Sequence, residues 1–277
     1  MARIETLDSA LRNRRHEVSE VVAEKFWPSV RAMLYSKDGR NPEIVGSCTL
    51  LQIDGRRFVV TAAHLLDGLE THEIYVSGSV GTEPVQIIGM TYSTASPPQG
   101  RDHDKIDIGF WEIEEPLAEK LGAVSFIVSN RFSLNRAPFE NRMFVALGYP
   151  VSRNKRNIDH VRKSIKTTLS KYTAELDCDP SVAKAFGVSG NDHLFLKHHK
   201  YSETATGEKQ RTFKPVGLSG GPLIDLGNFA TLDRYASDTT ISGYVSGMII
   251  ERFAKHKVLV ATRIHRIVEA IMAQGAP

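Results

Sequence analysis

Residues 48–61 read CTLLQIDGRRFVVT. Two runs of β-branched and apolar residues flank Asp54-Gly55. An Asp-Gly pair between such runs marks a tight hairpin, because the matching turn needs positive φ at both central residues. The stretch therefore predicts strands at 48–53 and 57–61. The same texture extends in both directions. Short β-prone runs bounded by turn residues recur at 30–35, 73–77, 85–90, 106–113, 124–128 and 143–147. Others follow at 164–172, 193–197, 241–250 and 257–262. About twelve such strands with few helices between them describe an all-β chain of barrels or sandwiches. A polar stretch at 129–141 is the most linker-like segment, and a split there gives two β units of similar size.

Helical spacing occurs at the two ends. Leu7, Leu11, Val18, Val22 and Phe26 form one apolar stripe. Glu5 and Asp8 favour the start of that helix, and Pro28 ends it. Ile264, Ile267, Val268 and Ile271 share a face near the C-terminus. The expected organisation is a helix over 1–27, a first β unit over 28–130, a second over 131–262 and a helix over 263–277.

The chain has 277 residues, is 41% hydrophobic and 24% charged, and carries a net charge of +3. Its mean hydropathy of -0.23 is that of an ordinary globular protein. No run of apolar residues is long enough to span a membrane. The near-balanced charge disfavours a nucleic-acid partner. The basic segment 151–172 has no interleaved aromatics before Tyr172, which weakens that reading further. There are two cysteines, Cys48 and Cys178, so a disulfide framework is excluded. With no apolar leader at the N-terminus, the expectation is a cytoplasmic protein. His198 and His199 would face opposite sides of a strand, and no ligand-spaced cluster occurs, so neither a metal nor another cofactor is expected.

Three segments carry chemistry. Phe58-Val59-Val60-Thr61-Ala62-Ala63-His64 ends a strand in a histidine. Lys105-Ile106-Asp107-Ile108 sets a carboxylate at the mouth of an apolar strand, where burial is costly without a partner. Gly217-Leu218-Ser219-Gly220-Gly221-Pro222 surrounds a serine with glycines. Those glycines bring amides close to a ligand, and the Gly217 and Ser219 N–H groups are candidate oxyanion donors. No Lys-Ser/Thr pair follows, so this is not a P-loop. Together the segments fit nucleophilic catalysis, with Ser219 attacking, His64 moving the proton and Asp107 orienting the imidazole. Asp102 and Asp104 compete with Asp107, but their stretch reads as a solvated loop.

On these motifs the sequence resembles the trypsin-like serine peptidases of the chymotrypsin clan. Leu65 stands where animal members have a half-cystine, and Gly148-Tyr149-Pro150 is a recurrent bacterial feature, so the likeness is to the bacterial branch. The resemblance covers roughly residues 28–265. It implies two six-stranded antiparallel β-barrels with the site between them, and a protein or peptide substrate. It also implies that Phe213 lies near the floor of the substrate pocket. Ser246, Gly247 and Met248 would then lie on the substrate-pairing strand, with Ser246 beside Asp107 and Met248 narrowing the pocket toward small apolar side chains. A peptidase free in the cytoplasm is hazardous, so control by a protein activator, an oligomer or a loop rearrangement is expected. The alternative is a catalytically silent trypsin-fold scaffold.

Overall fold

In the Asp54-Gly55 turn both residues take positive φ, 48° and 80°. The strands on either side, β2 (Glu43–Ile53) and β3 (Arg56–Ala62), pair antiparallel from Ile53↔Arg56 to Thr49↔Val60. They are the centre of a curled sheet in the computed structural model, which describes residues 6–37, 42–69, 71–78, 83–94, 100–134, 142–155, 158–159, 164–188, 190–204, 206–228 and 242–274. β1 (Val30–Ser36) and β4 (Glu73–Val76) extend this sheet on one side, ending at β5 (Val85–Gln86). β6 (Thr91–Ser93) and β7 (Ile108–Ile113) extend it on the other. A short β8 (Ile127–Val128) adds to β2 in parallel. Among the described residues this first sheet runs through seven strands with β8 added off that path, and it forms the first of the two expected barrels. The run at 85–90 breaks after Gln86, and the run at 124–128 begins as a 3₁₀ turn.

Among the described residues the second sheet has six strands, as expected, all antiparallel. Its members are β9 (Arg142–Gly148), β12 (Ser170–Glu175), β13 (His193–Lys197), β16 (Pro222–Asn228), β17 (Tyr244–Phe253) and β18 (Val258–Arg263). A bridge between Leu176 and Leu196 joins the last strand to the first and closes the barrel. Two hairpins stand off it, β10 (Ile158–Asp159) with β11 (Ser164–Ile165), and β14 (Tyr201–Glu203) with β15 (Lys209–Arg211). β16 follows the serine motif directly and was not anticipated. Its Leu223 is buried inside the second sheet, and its Ile224 and Leu226 are buried in the core shared with the first.

Among the described residues four α-helices accompany the sheets. α1 (Leu7–Phe26) is capped by Thr6, whose hydroxyl accepts the Ser9 N–H at 3.3 Å. Val18, Val22, Ala23 and Phe26 are buried, whereas Leu7 at the start of the expected stripe is exposed. The helix precedes the first sheet but lies on the second, with Ser19 hydrogen-bonded to Thr173 at 2.6 Å. α2 (Glu115–Leu121) and α3 (Pro180–Phe186) are short, and α4 (Ile264–Gln274) packs on β17 and β18. No described helix is long and apolar enough to cross a membrane.

Burial divides into three clusters. One lies inside the first sheet around Met33, Leu50 and Trp111. Another lies inside the second around Phe144, Leu196 and Leu223. The largest joins Val30, Leu51 and Phe58 of the first sheet to Val145, Ile224 and Val260 of the second, with both terminal helices contributing. That shared core fixes how the two sheets face each other, and so how their loops meet.

Candidate active site

The ladder between β3 and β7 ends at the pair Ala62↔Ile108. The residues just past one strand end and just before the other must therefore meet, and these are His64 and Asp107. Asp107 has φ of 48°, a left-handed conformation that Asp tolerates better than most residues. Its backbone is tied down on both sides. Its carbonyl accepts the Ala63 N–H at 3.0 Å, and its N–H donates to Asp104 Oδ1 at 3.0 Å. One carboxylate oxygen accepts the His64 backbone N–H at 2.8 Å. The other lies 2.7 Å from His64 Nδ1. A buried carboxylate can only accept here, so Nδ1 carries the proton and Nε2 is left as the acceptor. Burial opposes a charge on His64. The hydrogen bond and charge of Asp107, helped by Asp67 and Glu251, outweigh it, and the imidazole pKa is raised above its ordinary 6.5.

Asp104 is not solvated, contrary to the reading of its loop. Its side chain is only 6% exposed. Oδ1 takes the N–H groups of Ile106 and Asp107, and Oδ2 takes Thr94 Oγ1 and Arg101 Nη1. Polar residues had concealed a buried hydrogen-bond hub, which sets Asp104 behind Asp107 rather than in competition with it.

The serine loop comes from the second sheet but is held by the first. Ser47, fully buried on β2, donates from Oγ to the Gly217 carbonyl at 2.7 Å and from its N–H to the Ser219 carbonyl at 2.9 Å. Thr49 donates to the Gly220 carbonyl at 2.9 Å. A Cβ at Gly220, where φ is 86°, would land on the Ser47 carbonyl oxygen. Within the loop, the N–H groups of Leu218, Gly220 and Gly221 bond to Pro215, Ile249 and Leu218 carbonyls. Among the described residues those of Gly217 and Ser219 donate to no protein acceptor.

Ser219, Gly217, His64 and Asp107 line one cleft of about 620 Å³. The serine and histidine share it without a hydrogen bond between them. Ser219 Oγ donates instead to the Ile250 carbonyl at 2.9 Å.

No family model matches the chain, and no curated protein does. It is similar to solved proteases. One is the inactive form of the Rv3671c protease of M. tuberculosis, at 14% identity over 95% of this chain and 94% of that one, with a TM-score of 0.47. A second is a Glu endopeptidase, at 11% identity over 91% and 92% with a TM-score of 0.48. A third is the serine endoprotease from Yersinia pestis, at 13% identity over 95% of this chain and 65% of that one, TM-score 0.48.

The expected pocket residues lie elsewhere. Ser246 is buried, with its hydroxyl 3.5 Å from the Tyr244 carbonyl rather than on Asp107. Met248 belongs to the shared core and pairs with Pro222, and Gly247 pairs with Leu223. The segment beside the serine is Ile249–Arg252. Ile249 sets this register by exchanging hydrogen bonds with the loop, its carbonyl accepting Gly220 N–H and its N–H donating to the Gly221 carbonyl. Phe213 turns away from the cleft, packing on Tyr172 at 6.5 Å and under the Arg153 guanidinium at 4.8 Å. Lys214, Pro215 and Val216 form the cleft wall in its place. Arg153 and Lys171 of the basic segment are taken up by Phe213 and by Glu20 of α1. Its Arg156, Arg162 and Lys163 lie outside the described residues, as does 135–141 of the linker.

Proposed function

We propose that the chain is a trypsin-like serine endopeptidase acting on protein or peptide substrates through an acyl-enzyme. The observation that carries this reading is the paired His64–Asp107 carboxylate–imidazole facing, across one cleft, a serine loop whose two unengaged amides flank the nucleophile. Ser219 Oγ attacks the scissile carbonyl carbon, and its proton passes to His64 Nε2. Asp107 holds the Nδ1–H tautomer and stabilises the imidazolium. The Gly217 and Ser219 N–H groups receive the oxyanion. His64 then gives its proton to the departing amine as the C–N bond breaks. Water, deprotonated by His64, releases the acid and restores Ser219. No step calls for a metal or cofactor. The buried thiol of Cys48, outside any disulfide, suits a reducing cytoplasm, which is where we place the reaction.

One observation favours a second reading, a latent or silent form of the same fold. Attack needs Ser219 Oγ turned to Nε2, and here it faces Ile250. A protein activator or a rearrangement of the adjoining loops would turn the hydroxyl from Ile250 toward His64. A fluorophosphonate probe distinguishes them. The active enzyme labels, and labelling is lost in Ser219→Ala. A protein that stays unlabelled under all conditions is a scaffold, and the hydrolase reading is then wrong.

A further inference from the structure

The two walls beside Ser219 each carry a cation, Lys214 on one and Arg252 on the other. Both are exposed, and among the described residues neither has an ion-pair partner. Other charges line the same cleft. Arg101 is bound by Asp67 and Asp104. Glu251 acts on His64, whose charge it favours. Behind the Arg252 side stands His198, buried, its ring 4.9 Å from Tyr172 and its Nε2 without a hydrogen-bond partner among the described residues. Burial, with Arg252 and His199 adding repulsion, pushes the His198 pKa down to about 4. Lys214 and Arg252 thus bring to the cleft beside Ser219 two cations that no described carboxylate pairs.

Such a corner repels Lys and Arg side chains and gives an apolar one nothing for displacing the water around two cations. A carboxylate neutralises such charge and accepts charge-assisted hydrogen bonds from it. We propose that Lys214 and Arg252 are specificity residues that select substrates with an acidic side chain next to the bond presented to Ser219. This rests on the hydrolase reading of Ser219.

The test measures binding, so it does not need turnover. Ser219→Ala protein is titrated with blocked, fluorescent peptide pools that differ only in one central residue, Glu, Gln or Lys. Glu pools bind roughly tenfold more tightly than Gln pools, as two partly solvated ion pairs allow, and at about 1 M salt the gap closes. In the added Lys214→Glu, Arg252→Glu variant the order reverses and Lys pools bind best, a gain that misfolding does not mimic. Equal binding of Glu and Gln pools, preference for Lys, an unchanged order in the charge-reversed variant, or no binding at all overturns the proposal. Fluorophosphonate labelling separates it from the reading beneath it. Labelling without acidic preference sinks the specificity alone. Acidic preference without labelling sinks the hydrolase and leaves a charge-selective cleft.

Discussion

Asp107 holds its left-handed backbone because four hydrogen bonds with three neighbours bind it, two of them the bonds that seat His64. The consequence is electrostatic. Asp107 raises the His64 pKa, so the folded state favours the protonated ring. This stabilising contribution is complete below the ordinary imidazole value of 6.5 and is lost as pH rises through the raised folded value. Activity runs the opposite way, because the base must be neutral. A kcat/KM profile should rise with pH through an apparent pKa above 6.5, and in Asp107→Asn that step should move down while the rate falls by orders of magnitude. A wild-type step at or below the free imidazole value would contradict the pairing. Asp104 acts through Asp107 as a positioning residue. Asp104→Ala removes the acceptor for two backbone N–H groups, for Thr94 and for Arg101. It should cut kcat by up to about a hundredfold, the scale of an ångström-level misplacement, and lower the His64 step. Asp104→Asn keeps one acceptor oxygen and should recover part of both. A loss of stability with an unmoved pH profile would mean that Asp104 is merely structural.

The serine loop shows what a strand of one sheet does for a loop of the other. Ser47 accepts the Tyr149 N–H at 2.9 Å while donating to Gly217, so one hydroxyl links β2, β9 and the loop. Ser47→Ala strands two buried backbone groups and should cost about 1–3 kcal/mol in urea unfolding. Fluorophosphonate labelling should slow as well, because the Gly217 amide is no longer fixed; a variant that labels at the wild-type rate would show that the loop holds itself. Much of this was legible in the sequence. A hairpin turn, a histidine at a strand end and a glycine-ringed serine are local signals, each set by backbone conformations that few residues adopt. The segment beside the serine was not. Along 245–250 small and apolar residues follow one another without a marked alternation, so period alone gives no register. The register comes from hydrogen bonds between Ile249 and the serine loop, which are far apart in sequence. Asp104 was misread for a related reason, since a polar loop looks solvated until its partners Thr94 and Arg101 are brought to it. The hydroxyl partner of Ser219 is a matter of one side-chain torsion, which no composition or spacing encodes.

At the scale of the molecule, the two sheets share a core. The largest core cluster draws on both sheets, and α1 and α4 seal it from the two ends of the chain. Tyr149 Oη also donates to the Val30 carbonyl at 3.2 Å, across the same junction. Pulling the sheets apart would bare Val30, Leu51 and Phe58 on one side and Val145, Ile224 and Val260 on the other, at roughly 1.5–3 kcal/mol for each fully exposed side chain. That penalty approaches the whole stability of a typical domain, so a state with one sheet folded and the other melted should not accumulate. The residues allow this to be tested sheet by sheet. Trp111 is buried in the first sheet and reports on it by fluorescence. The other tryptophan, Trp27, is exposed. Cys178 is exposed beyond β12 and accepts a thiol dye that reports on the second sheet. Cys48 will not compete for the dye, because it is buried and its thiol is pushed up to about 12 by desolvation. The two probes should give coincident urea transitions. Two separated midpoints would mean that the sheets fold alone and dock afterwards, and the site between them would then be assembled by docking.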